Sequence, residues 1–377
     1  MKPLLVCLLL LSTLCPGAAN AQEDTRKKAF DAVYALRNAG KFPEAEKAAQ
    51  ALVTERTKAH GAEDKKTLRA ELLLAEVIQG QRNAEARDRL QQLLPRVTQV
   101  FGAEKRETLI CQSRLFSAMT TEGQATEAAE QFRKLIPVET RVLGAEDPET
   151  LSSRRRLAAA LIKLEKPAEA EVELRQVLAI RERVFGAERP DTLLSQTYLI
   201  ETLDLQDKDT EAAAMSRRLI PVETRVLGPE NTMTLSSRKR LASVLWKLEK
   251  LDEAAAEYRE LLAIYTRLEG PEHADTLSCE TNLAGVMADQ GKDAEAETQY
   301  RRLIPIHTRV LGAEDLETLR ICYNLAMCLW KQEKNAEALP YARRALAGRL
   351  KVLGKDHPTT KTSQELVDDL TKTNVKA

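Results

Sequence analysis

A chain of 377 residues has room for two or three ordinary domains, and its composition narrows the class at once. Ala, Leu, Glu, Lys and Arg dominate, aromatic residues are only 4% and charged residues 30%, the profile of helices built from strong helix formers, which argues against a sheet-based fold. Lys plus Arg and Asp plus Glu balance at 57 each, so no basic excess is present to hold a phosphate backbone, and nucleic acid is not an expected partner.

Residues 1–21 differ from the rest. Lys2 is their only charge, the run from Leu4 to Leu14 is apolar, and Ala19-Asn20-Ala21 ends the segment in small residues. This is the pattern of a secretory signal cleaved after Ala21, and the run is too short to anchor the chain in a bilayer. Lipidation through Cys15 is opposed by the bulky Leu14 before it. The expectation is therefore an exported protein, periplasmic or extracellular, with 22–357 as a repeat array and 358–377 as a capping helix and disordered tail. No later segment is apolar enough to be a transmembrane helix. Export also brings disulfides into question. Cys322 and Cys328 fall on different sides of one predicted helix, while Cys111 and Cys279 take a repeat position held elsewhere by Ser153, Ser195 and Ser237, so buried free thiols are expected.

A short phrase then recurs along the chain. Gly144-Ala145-Glu146-Asp147-Pro148-Glu149-Thr150-Leu151 returns at Gly186, Gly228, Gly270 and Gly312 in steps of 42 residues, with Gly61, Gly102 and Gly354 in the same series. Each phrase ends one helix and starts another. The glycine suits a left-handed residue after the last turn, and Asp64, Asp147, Asn231 and Asp315 stand where a side chain caps the next helix. Lys105 and Arg189 are poor caps, and Pro148, Pro190 and Pro358 take the first helical position. Between phrases lie two amphipathic patterns, as with Leu157, Ala158 and Leu161 followed by Ala170, Leu174, Val177 and Leu178. Gly40, Gly123, Pro167 and Gly291 mark the turn between them, and one small residue recurs early in the second helix, from Ala45 to Ala338, where the pair must approach closely. A lone hairpin cannot bury its stripe, so neighbours must stack. The predicted fold is all-α, a right-handed superhelical solenoid of eight antiparallel hairpins and a C-terminal capping helix over Thr359 to Thr371, whose core positions would be Val367, Asp368 and Thr371.

The stretches Ala179 to Gly186 and Lys351 to Pro358 resemble the 42-residue tetratricopeptide repeat of kinesin light chains and of many bacterial proteins. The resemblance covers nearly the whole chain beyond the signal. It implies a scaffold for protein or peptide partners, but not the motor-cargo role of kinesin light chains, whose coiled coil has no counterpart here. The repeats also alternate: Pro137, Pro221 and Pro305 stand in the second helix of every other unit, opposite Ala179, Ala263 and Ala347, which points to duplication of an 84-residue unit and to bent second helices.

In that family the first helix of each hairpin lines the concave groove. Counting from each unit's threonine as zero and turning about 100° per residue, positions 4, 7, 8 and 11 form the expected core, and positions 2, 5, 9, 12 and 13 face the groove. The candidate peptide-binding residues at these positions are Arg155 and Lys163, then Lys239, Trp246 and Lys247, then Arg320, Tyr323, Trp330 and Lys331. The units between carry small or acidic residues there, among them Glu201, Asp204, Gly285 and Asp289. Tryptophan and arginine beside lysine suit a partner segment with acidic or hydrophobic anchors; the alternative is that the tryptophans pack between repeats and the lysines pair with neighbouring acids. The runs Arg154-Arg155-Arg156 and Arg238-Lys239-Arg240 spread over about 200° of helix and are expected to be solvated.

His60, His273, His307 and His357 have no partner at metal-ligand or nucleophile spacing, and no phosphate loop, dinucleotide fingerprint or nucleophile elbow is present. No cofactor, metal site or enzymatic activity is expected. The leading expectation is an exported protein-binding scaffold. A structural spacer or assembly element of the cell envelope is the alternative, and an accessory subunit of an envelope or secretion enzyme is a third.

Overall fold

A computed structural model describes residues 28–37, 40–79 and 81–376, with the side chains of the last helix as far as Lys372. The signal segment, its cleavage point after Ala21, Cys7 and Cys15 lie outside the described residues. The described residues form seventeen helices and no strand, in two compact units, Met1–Val184 and Phe185–Ala377. The first unit holds α1 (28–37), α2 (Phe42–His60), α3 (Lys65–Ile78), α4 (Asn83–Phe101), α5 (Arg106–Thr121), α6 (Ala125–Val142), α7 (Pro148–Lys163) and α8 (Pro167–Phe185). The second holds α9 (Pro190–Asp204), α10 (Asp209–Val226), α11 (Thr232–Lys247), α12 (Leu251–Glu269), α13 (Ala274–Asp289), α14 (Asp293–Val310), α15 (Leu316–Lys331), α16 (Asn335–Leu353) and α17 (Pro358–Lys376). These are the eight hairpins and the extra helix that the repeat predicts, with α17 continuing past Thr371.

Burial follows the repeat. The eight early alanines of the second helices, Ala45 through Ala338, are all fully buried, because each sits where its helix crosses its partner. Within the first helices the buried set is wider than positions 7, 8 and 11. In α7 it also includes Thr150, Leu151, Ser153, Arg156 and Ala160, since a first helix is covered by the second helices on both sides of it. Position 4 is core at Cys322, but Arg154 and Arg238 stay partly exposed there and reach sideways to Glu173 and to Glu257 at 2.8 Å. In α17 the buried residues are Thr360, Ser363, Leu366, Val367 and Leu370, while Asp368 and Thr371 are exposed. Those two positions would meet a following second helix, and none follows α17 among the described residues. All four described cysteines are buried and free.

The inter-repeat turns draw on three local devices. The aspartates and Asn231 cap as expected, Asp147 Oδ1 accepting from the Glu149 N–H at 2.9 Å, whereas Lys105 and Arg189 supply no cap. His273 caps α13 through Nδ1 at 3.3 Å from the Asp275 N–H, a role the sequence reading had not given to histidine. Five unit threonines donate back across the turn to the glycine carbonyl, as in Thr67 to Gly61 at 2.8 Å and Thr276 to Gly270 at 2.8 Å, whereas the buried hydroxyls of Thr150 and Thr318 have no hydrogen-bond partner. The glycines have positive φ, but not the left-handed helical conformation: Gly61 lies at φ 88°, ψ 164° and Gly270 at φ 92°, ψ 166°. This extended mirror-image region is closed to side chains, asparagine included.

The turn inside each hairpin is different. Gly123 and Gly291 there have φ 81° and 77°, and the corresponding residues of other units are Glu165, Asp207, Glu249 and Glu333 at φ 54° to 61°. Glu165 therefore does what the sequence reading assigned to Pro167, which is instead the first residue of α8. Pro137, Pro221 and Pro305 lie inside α6, α10 and α14, and these helices run on through them. Proline costs each helix one donor without ending it. Pro95 holds the same position in α4, so the alternation with alanine starts only at Pro137.

The two turn geometries predict opposite responses to substitution. Glu249→Gly relieves a left-handed residue and is expected to raise stability by about 0.5 kcal/mol. Gly270→Asn is expected to lower it by about 1–3 kcal/mol. Urea midpoints of the two variants measure both effects, and an unchanged midpoint for Gly270→Asn contradicts the turn geometry.

Candidate functional site

The first helices expose one row of side chains, and it is the row expected from the helical period. In α11, Ser236 and Lys247 are exposed, Lys239, Ser243 and Trp246 half-buried, and Leu241, Ala242, Val244 and Leu245 buried. In α15, Arg320, Tyr323 and Met327 are half-buried and Trp330 and Lys331 exposed, Trp330 at 38%. In α7, Arg155 is half-buried and Lys163 exposed.

Within this row the structure gives most of the α11 candidates intramolecular partners. Lys247 Nζ lies 2.7 Å from Asp204 Oδ1 and within 3.8 Å of Asp207 and Asp209, all contributed by the preceding repeat. The attraction of these three aspartates raises the Lys247 pKa against the opposing effect of burial. Lys239 reaches forward to Asp275 at 2.9 Å. Trp246 donates from Nε1 to Asp289 Oδ2 at 2.7 Å. Its ring lies over Gly285, where an added Cβ would stand 2.9 Å from Cζ2 and closer still to Cη2. The basic and aromatic row of α11 thus fits into the acidic and small rows of α9 and α13.

The α15 candidates are less committed. Arg320 donates to Glu317 at 2.6 Å and to Asn282 at 3.2 Å, and Lys331 is 3.9 Å from Asp293. The ring of Tyr323 covers the buried guanidinium of Arg349 at 4.8 Å. The expected solvation of the arginine runs fails at Arg156, which is only 6% exposed because position 6 faces the preceding first helix. Arg240 of the second run pairs with Asp204 at 3.2 Å.

Sequence reasoning missed a buried ionisable series in the second helices. Glu139, Arg181, Glu223, Tyr265, His307 and Arg349 recur at 42 residues, each buried, where α4 has Val97. Glu139 Oε1 accepts from Ser153 at 2.9 Å and Glu223 Oε1 from Ser237 at 3.1 Å and Thr197 at 3.2 Å, while Oε2 of each glutamate has no hydrogen-bond partner. Burial pushes both carboxyls up to about 7. At Glu139 the Ser153 hydrogen bond and the Arg156 charge pull down against it, and Glu149 and Asp147 push with it. Burial lowers the pKa of His307, whose Nε2 lies 3.3 Å from the Thr281 hydroxyl. The 42-residue spacing was the available signal. Histidine spacing had also suggested no ligand cluster, yet the Glu269, His273 and Asp275 donor atoms come within 4.8 Å of one another. In that trio His273 Nδ1 accepts from a backbone N–H and Asp275 holds Lys239, so its donors are already engaged.

Two predictions follow from these contacts. Gly285→Ala is expected to cost about 1–3 kcal/mol by displacing the Trp246 ring, and much less in a Trp246→Ala background; additive effects in that double-mutant cycle would break the proposed contact. For the buried glutamates the folded pKa lies above the ordinary value near 4.5, so their stability contribution is complete below that value and is lost as pH rises through about 7. The Glu139→Gln/Glu223→Gln variant should therefore gain on the wild-type chain by about 1 kcal/mol or more per site between pH 4.5 and 7.5, with allowance for screening. Urea midpoints at both pH values measure this; His307 titrates identically in both proteins and cancels.

Comparison with known proteins agrees with this architecture. Tetratricopeptide repeat family profiles match residues 150–191, 230–309 and 280–351. No curated protein matches the sequence. Among solved structures, a Podosopora anserina kinesin light chain protein of nearly identical TPR-like repeats is 25% identical over 54% of this chain and 96% of its own, with a TM-score of 0.49. BtubC (BKLC) from P. vanneervenii is 20% identical over 64% of this chain and 94% of its own, also at 0.49. A Rap protein complexed with Competence and Sporulation Factor is 12% identical, covers 94% of this chain and 99% of its own, and has a TM-score of 0.55, a likeness of fold. No described helix is long and apolar enough to cross a membrane. With eight hairpins in 42-residue register, the chain carries tetratricopeptide repeats over residues 150–191 and 230–351, and its helical architecture is that of such repeats.

Proposed function

We propose that the chain is an exported, non-catalytic scaffold that binds a protein or peptide segment along the outward row of its first helices, with α15 as the main contact in the second unit. The observation that carries this reading is Trp330, 38% exposed in the outward row of α15, beside exposed Lys331 and half-buried Tyr323 and Arg320. A large aromatic ring held in water next to cations is the composition of a binding hot spot, suited to a hydrophobic anchor followed by an acidic one. Tetratricopeptide repeats bind protein or peptide partners, and the Rap protein of the same fold was solved in complex with Competence and Sporulation Factor. Export rests on the composition of residues 1–21.

A spacer or assembly role in the envelope is favoured by a different observation. Lys239, Trp246 and Lys247 bind the chain's own aspartates, so α11 works as a tie between repeats. The two readings divide the row between them: α11 holds neighbouring repeats together and α15 is left for a partner.

Peptide-display selection on the purified chain tests the binding role. Peptides recovered on the wild-type chain should lose at least tenfold in affinity with Trp330→Ala and with Lys331→Ala, at unchanged melting temperature, and should be indifferent to Lys247→Ala. Selected peptides that bind both α15 variants as tightly as the wild type would remove α15 as the contact.

A further inference from the structure

We propose that the edge of the second unit formed by its inter-repeat turns is a self-association surface, on which a second copy of this chain docks antiparallel through Val226, Leu268, Val310 and Val352. The proposal does not depend on the peptide-binding reading, because these residues end the second helices and lie outside the outward row of the first.

The starting observation is an apolar series that the core does not use. Val142, Val184, Val226, Leu268, Val310 and Val352 recur at 42 residues in the last turn of successive second helices, and all are exposed, from 38% at Val142 to 46% at Val352. Valine is a mediocre helix former, so local stability does not call for it there. Duplication alone would copy the residue, yet at Leu268 the side chain changes and its class is kept. In the second unit the turn segments 225–231, 267–273, 309–315 and 351–357 contain no buried residue. Together they are the size of one side of a standard interface, about 20–30 residues. Aliphatic side chains held in water in one row, rather than scattered singly, mark a contact surface.

Charge decides the partner. Each aliphatic stands beside an ion pair: Arg225 with Glu188 at 2.6 Å, Arg267 with Glu230 at 2.6 Å, Arg309 with Glu272 at 2.5 Å and Lys351 with Glu314 at 2.5 Å. The row is therefore apolar with neutral rungs along it. An anionic lipid surface is opposed by the acid of every rung, and the four segments carry no tryptophan or tyrosine to anchor in one. A second copy meets both requirements. Its aliphatics repeat at the same 42-residue step, and its rungs offer an acid to each cation and a cation to each acid. Lys plus Arg equal Asp plus Glu over the whole chain at 57 each, so two copies approach without net repulsion. Parallel rows in register would set each cation opposite its own counterpart. A closed pair about a two-fold axis across the row instead runs the rows antiparallel, with Val226 against Val352 and Leu268 against Val310.

Sedimentation equilibrium on the full chain tests this. The wild-type chain is expected to dimerise, and Leu268→Glu/Val310→Glu to raise the dissociation constant at least tenfold at an unchanged melting temperature, since both side chains are exposed in the single chain. Val172→Glu, at an aliphatic 57% exposed on α8, is expected to leave the dimer intact. Trp330→Ala should leave it intact as well, so loss of peptide binding and loss of dimerisation are read apart. Orientation has its own measurement: a mixture of Leu268→Cys and Val310→Cys chains should join through a short bismaleimide faster than either variant with itself, against a wild-type blank whose described cysteines are buried. A monomeric wild-type chain, an equally tight dimer in Leu268→Glu/Val310→Glu, or a dimer lost as readily with Val172→Glu would overturn the surface. Wild-type binding to phosphatidylglycerol vesicles that Leu268→Glu/Val310→Glu lacks, with no dimer in solution, would overturn it in favour of lipid. Faster joining of Leu268→Cys with itself would overturn the antiparallel arrangement.

Discussion

A helical hairpin has too much apolar surface to hide within itself, and every other property of this chain follows from how neighbours cover it. Inside a unit a first helix is enclosed between its own second helix and the one before it, so that α7 buries eight of its residues. That enclosure sets what each position tolerates. Alanine is retained where helices cross, most unit threonines turn their hydroxyls back to the glycine carbonyl, and the outward row is confined to five positions per repeat. The last described helix makes the point from the other side: with no further hairpin among the described residues, the positions of Asp368 and Thr371 are exposed and carry polar residues.

The 84-residue period has a physical reason in the same row. If one 42-residue unit were simply repeated, each lysine at position 13 would face another lysine's repeat. With a two-repeat unit, the basic rows of α11 and α15 adjoin acidic residues of the repeat before them. Lys247 reaches Asp209 at 3.7 Å, and one period later Lys331 lies 3.9 Å from Asp293. These pairs are partly exposed, so each adds little stability. Their larger effect is on availability: a cation occupied by an internal aspartate must be released before a partner can use it. The charge pattern of the sequence therefore overstates the charge that the folded row offers.

The fold was legible in the sequence because spacing alone carries it. A 42-residue recurrence, two amphipathic stripes and a terminator at each boundary fix the element order, and all eight hairpins lie where these signals place them. The outward row was legible for the same reason, since it depends only on the helical period. Backbone detail was less so. A glycine signals positive φ, but ψ depends on how the chain enters the next helix, and Gly270 takes the extended value where a left-handed helical residue was expected. Pairing across repeats was not legible, because the meeting of Lys247 with Asp204 depends on the offset between stacked helices. Arg156 was misjudged through a core drawn on four positions, which leaves no room for a buried arginine at the sixth.

The two tryptophans put the remaining question in one comparison. Trp246 and Trp330 hold the same position one period apart, on helices with closely similar burial, yet one is half-buried and the other exposed. The difference lies in the helix that follows. Above Trp246, α13 has Gly285, whose missing side chain makes a seat for the indole, and Asp289 receives the indole N–H at 2.7 Å. At the place on α17 that corresponds to Gly285 stands Asp369, an exposed acid with a side chain where the ring would need space. The same residue at the same repeat position is therefore a packing element where its neighbour is glycine and an open aromatic surface where its neighbour is not. Binding capacity in such an array is set less by the residue that is displayed than by whether the next repeat has room to cover it.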